Sequence, residues 1–283
     1  MTKIPVLDAI RFAYRFTFNH LGAIIGLIWL PMIMATVIGF FVFQRFFSAL
    51  ANALASNNFA SMGPALLGLI SFVFIGLLLL SMMAVPVTQL AMGSRKTGAL
   101  AHFAFGPLEW RLFRAGLGVA GFLFAMLLIV SMATAALLGP SNPTANILAL
   151  AIFYLCMIFF ILRFGFLLPS VAVGETGPVL PRSWILSGGN FWRILGVFLA
   201  VVLPVRLAMI VVEAALAGPR MLEPKLFNST AMVAAQVHFA SQNMPVTAGL
   251  MFLFAPVLLG LILSAGVFVF QALKGETIPP SAS

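Results

Sequence analysis

Carboxylates are scarce in this chain: six Asp and Glu in 283 residues, against fifteen Lys and Arg. They are spread over separate segments, so the sequence sets up no carboxylate pair for general acid–base work. The three histidines, His20, His102 and His238, are just as dispersed and show no metal-ligand spacing of the H-E-x-x-H kind. No serine stands in a nucleophile elbow. The single cysteine, Cys156, lies inside an apolar run, which excludes a disulfide framework and a thiolate metal site and points to a buried, inert thiol. Catalysis is therefore not expected, and neither is a cofactor or a bound metal.

Charge of either sign is low. Charged residues make up 7% of the chain and hydrophobic ones 63%, where a soluble domain carries about 25% charge. No soluble core of this length needs so much apolar surface, and the composition predicts an all-α polytopic membrane protein. The net charge of +9 does not indicate nucleic acid. Its basic residues stand singly or in pairs beside apolar runs, an arrangement that suits anionic lipid headgroups and orientation signals.

Six runs are long enough to span a bilayer core, which takes about 20 residues. They cover residues 21–43, 64–89, 116–138, 145–168, 191–217 and 247–273. The first is too long for the apolar region of a cleaved signal peptide, so it is read as a retained span. Before it, residues 5–20 place Asp8, Arg11 and Arg15 at i, i+3 and i+7 on one helical face, with aromatic and aliphatic residues around the rest. That pattern predicts an amphipathic helix lying in the membrane interface. A second such helix is expected at residues 107–115 (PLEWRLFRA), where Trp110 adjoins Arg111 and Arg114. A third is expected from Pro178 to the Gly188-Gly189 break, with Asn190 positioned to cap the span that follows.

The layout reads as three hairpins in one membrane domain over residues 1–283, each introduced by a surface helix: repeats 5–93, 98–175 and 176–273, with a tail at 274–283. The second helix of each hairpin carries a proline, at Pro86, Pro169 and Pro256. Lys3, Arg11, Arg15, Arg95, Lys96, Arg111, Arg114, Arg182, Arg193 and Lys274 flank the spans on one side; only Arg45, Arg220 and Lys225 flank them on the other. The positive-inside rule then puts both termini and the three surface helices in the cytoplasm of a bacterial inner membrane.

Arg163, Arg206 and Glu213 stand inside or near apolar spans, where ionisable residues are candidates for function. At 1.5 Å per residue, Arg163 lies about 9 Å from Pro169, and Arg206 about 22 Å beyond Phe191. Neither is at the midplane of a core about 30 Å thick, so each can snorkel or be held by a structural pair. Glu213, two turns above Arg206 on the same face, is a candidate partner for it. Gly116, Gly118 and Gly121 match G-x-G-x-x-G, but no strand precedes them and no acid follows. They are read as helix-packing glycines, not as a dinucleotide site.

The stretch Glu175…Arg182-Ser183-Trp184-Ile185-Leu186…Gly189-Asn190-Phe191-Trp192-Arg193 resembles a motif of the six-span bacterial inner-membrane proteins of the YciC type. The same motif occurs in the membrane domain attached to some glycerophosphodiester phosphodiesterases. In both, an acid precedes an Arg-Ser-Trp-x-Leu helix, and Gly-x-Phe-Trp-Arg leads into a span. The resemblance implies a non-catalytic membrane module linked to envelope lipids, without the soluble phosphodiesterase activity. Arg11, Arg15, Trp110, Arg111, Arg114, Arg182, Trp184, Trp192 and Arg193 are the expected contacts for anionic lipid or for another membrane subunit. A transporter or lipid-moving protein, with a groove between the proline-bearing helices, is the competing expectation.

Overall fold

The computed structural model describes residues 3–56, 58, 62–95, 105–138, 143–217, 237 and 239–275. Lys96–Gly98, the Gly139-Pro140 break, His102, His238, the tail beyond Gly275 and most of the short helix expected near residues 231–240 lie outside them. The described residues form helices and turns and contain no strand. In order, the helices are α1 (Val6–Asn19), α2 (Leu21–Ser56), α3 (Gly63–Ala91), α4 (Pro107–Leu138) and α5 (Pro143–Phe160). A π-helical turn, Ile161–Gly165, carries α5 on into α6 (Leu168–Gly174). Then follow α7 (Val179–Ser187), α8 (Phe191–Ala217) and α9 (Met244–Lys274).

Six of these stretches are long and apolar enough to cross a membrane: Leu21–Ala53, Gly63–Ala91, Pro107–Leu137, Ala151–Gly174, Phe191–Leu216 and Met244–Lys274. The shortest has 24 residues, about 36 Å of helix against a core of about 30 Å. The chain is an all-α polytopic membrane protein. α2 pairs with α3, α4 with α5, and α8 with α9.

The centre of the bundle is α9, which packs against α1, α2, α3, α6 and α8. Two glycines on α9 allow this crowding. A Cβ on Gly266 would come within 2.7 Å of the Phe166 carbonyl, and one on Gly260 within 2.7 Å of Thr17. Small residues permit close helix approach where lipid offers no hydrophobic drive to associate. Burial is concentrated at one end of the bundle. Ser81 to Thr88 at the end of α3 are all buried, as are Phe166, Leu167, Leu168, Val171 and Ala172, and most of α9 from Leu261 onward. Towards the other end the helices splay. Leu137 on α4 is 83% exposed and Val211 on α8 68%, surfaces that suit lipid chains.

α1 caps the packed end. Ala9, Ala13, Phe16 and Thr17 face down onto α8 and α9, while Asp8, Arg11 and Arg15 are exposed. The three charges therefore share the outward face, as their spacing predicts. The chain turns at His20, whose ring Nδ1 lies 3.0 Å from the Phe16 carbonyl, and α2 begins.

The second expected surface helix differs. Residues 107–115 are the opening turns of α4, continuous with the span. The chain has no capping residue there, and Gly116, Gly118 and Gly121 keep helical geometry. The contrast is with Gly188-Gly189, where Gly189 at φ 73° ends α7 and the Asn190 carbonyl accepts the first amides of α8, from Arg193 and Ile194, at 3.0 Å each. A positive φ breaks the chain, and glycine alone does not.

Candidate functional site: cations at the packed end and a groove at the other

The packed end gathers ten of the residues singled out by sequence, but it uses them in two ways. Arg111, from the second turn of α4, reaches across to the end of α6. Its Nη1 donates to the carbonyls of Ala172 (3.0 Å) and Glu175, and its Nη2 donates to that of Gly177. Those of Ala172 and Glu175 are carbonyls that the C-terminus of α6 leaves unbonded, and a cation there also meets the negative end of the helix dipole. Arg182 on α7 forms a fork with Glu175, with Nε at 2.8 Å and Nη2 at 3.3 Å from its two oxygens. Arg193 at the start of α8 donates to the Ile4 carbonyl at 3.0 Å and anchors the segment before α1.

Arg163 is held most closely. It sits in the π turn, where Phe166 N–H reaches back five residues to the Ile161 carbonyl. Its guanidinium stacks 3.7 Å from the Trp184 ring centroid. Nη2 donates to the Trp184 carbonyl at 3.1 Å, and Nε reaches the Ser187 hydroxyl at 3.3 Å. Phe164 stacks on the same indole at 5.1 Å. Of the two fates open to Arg163, structural pairing is the one observed. Trp184 is thus tied into the fold.

The remaining cations face outward. Arg11 and Arg15 are exposed on α1, and Arg114 is exposed beside Trp110, 5.7 Å from its ring centroid. Trp192 is 78% exposed. All lie at the packed end with the clamped arginines. Beneath them, the Tyr14 hydroxyl donates to the Ala200 carbonyl at 3.2 Å, and burial raises its pKa above the ordinary phenol value.

Arg206 is placed differently. It is exposed on α8, and among the described residues its Nη1 finds only the thioethers of Met209 and Met251, each at 4.0 Å. Glu213 does not pair with it among the described residues. It accepts a 2.5 Å hydrogen bond from Thr247 on α9 instead. The proposed Arg206–Glu213 partnership is therefore replaced by a link between helices.

Beside this link, α2, α3 and α9 leave an apolar groove of about 580 Å³ lined by methionine and phenylalanine. Sequence inspection does not single it out. The only local signal is Met244, Thr247 and Met251 at i, i+3 and i+7, which any packed helix could show. Of the G-x-G-x-x-G glycines, Gly118 has the Leu180 side chain 3.0 Å from where a Cβ would stand, in keeping with a packing role against α7.

The fold thus defines a multi-pass membrane protein with a clamped, basic end and an open, apolar one. No protein-family model, curated protein or solved structure matches the chain.

Proposed function

We propose that this protein is a non-enzymatic, lipid-associated module of a bacterial inner membrane, a scaffold or an accessory subunit of a larger complex. The packed end and both termini lie on the cytoplasmic side. One observation carries the reading: Arg11, Arg15 and Arg114 remain outward-facing at the same end where Arg111, Arg163, Arg182 and Arg193 are bonded internally. Exposed cations at an end that also exposes Trp110 and Trp192 suit an anionic leaflet, each cation contributing about 1 kcal/mol near such a surface. The likeness of residues 175–193 to the YciC-type motif points the same way. The second reading, a lipid-moving protein, draws support from the groove between α2, α3 and α9.

The test is reconstitution in nanodiscs of phosphatidylcholine with or without phosphatidylglycerol. The wild type is expected to melt several degrees higher with the anionic lipid. Arg11→Gln/Arg15→Gln/Arg114→Gln is expected to lose most of that gain while melting normally in phosphatidylcholine. A variant that keeps the full gain refutes the reading.

A further inference from the structure

We infer that the groove between α2, α3 and α9 holds a single phospholipid, its acyl chains against the Met/Phe walls and its phosphate on Arg206. This deepens the lipid-associated reading above and rests on it. The volume of about 580 Å³ falls within the range of roughly 300–1,000 Å³ typical of small-molecule sites. Its chemistry is that of a chain, not a solute. Phe40, Phe43 and Phe72 line it together with Met32, Met244 and Met251. Both threonines on the wall have spent their hydroxyls, Thr36 on the Met32 carbonyl at 2.9 Å and Thr247 on Glu213 at 2.5 Å. Along α9 the lining runs from Met244 to Leu259, about 22 Å of helix, longer than the roughly 15 Å of hydrocarbon in one leaflet. Flexible thioethers suit a ligand whose shape varies.

The anion is indicated by Arg206. It lies about 22 Å along α8 from Phe191, on an apolar span, exposed and with no carboxylate partner among the described residues. A guanidinium in that setting is costly until an anion meets it, and its fork matches phosphate oxygens. On α9 it meets Met251, which is itself part of the groove wall. One molecule can therefore satisfy the cation and fill the groove. The bilayer supplies such a molecule at high local concentration.

The test uses the full-length protein, stripped of lipid in mild detergent and examined by native mass spectrometry. The probes are phosphatidylglycerol and a diacylglycerol with the same chains. The wild type is expected to retain one phosphatidylglycerol at least tenfold more tightly than diacylglycerol. Arg206→Gln should reduce that preference at least tenfold, and Ala248→Phe, on the groove wall, should weaken both lipids. A phosphatidylglycerol bearing a diazirine in its acyl chain should label α9 peptides in the wild type, whatever the fate of the Ala248 variant. Retention unchanged in Arg206→Gln, labelling that avoids α9, or a dimer with the groove empty of lipid would each overturn the proposal. Arg11→Gln/Arg15→Gln should leave this one lipid in place, so failure here is distinct from failure of the inner-leaflet reading.

Discussion

α1 and α7 look alike in sequence, each a short helix of apolar and aromatic residues with arginine, placed before a span. The fold uses them in opposite ways. α1 lies on α8 and α9 through Ala9 and Ala13, with its arginines above. α7 lies beside the π turn and α6, whose side chains and carboxylate come up to it, so its charged and indole groups are bound from below. What separates the two is the neighbour, not the helix. A cation beside apolar small residues stays outward; one that meets backbone carbonyls or a carboxylate is drawn in.

That contrast can be broken residue by residue. Arg163→Met removes a half-buried cation–π contact and two hydrogen bonds from a charged donor. It should cost about 3 kcal/mol, read as a drop in detergent melting temperature together with earlier proteolysis near Gly188-Gly189. Arg111→Gln leaves carbonyls at the end of α6 without a donor and should cost about 2 kcal/mol in the same melt. Arg11→Gln/Arg15→Gln should shift that melt by less than about 0.5 kcal/mol, although it is expected to disturb the response to anionic lipid. Equal stability losses in all three would abolish the distinction between clamped and free arginines.

The spans were legible because length and hydropathy act locally, and α1 was legible because three charges at i, i+3 and i+7 declare a face. The roles of the arginines were not. Arg111 adjoins Trp110 in a pattern that reads as interfacial, but its acceptors begin 61 residues away at Ala172. Arg163 has a depth that permits snorkelling, yet Trp184 lies within stacking distance once the π turn has formed. Residues 107–115 read as a separate helix because their composition changes at Gly116, but composition does not break a helix where the backbone keeps its dihedrals. The Met/Phe groove comes from three helices that splay, a property of packing at the opposite end of the bundle.

The close fit of Gly260 and Gly266 against α1 and the turn before α6 has a consequence for biogenesis. Helices enter a bilayer individually and associate afterwards, and α9 is the sixth of the six spans in chain order. During translation, α1, α2, α3, α6 and α8 are therefore delivered before the surface they will share exists. The bundle has to wait, loosely gathered, until its axle arrives.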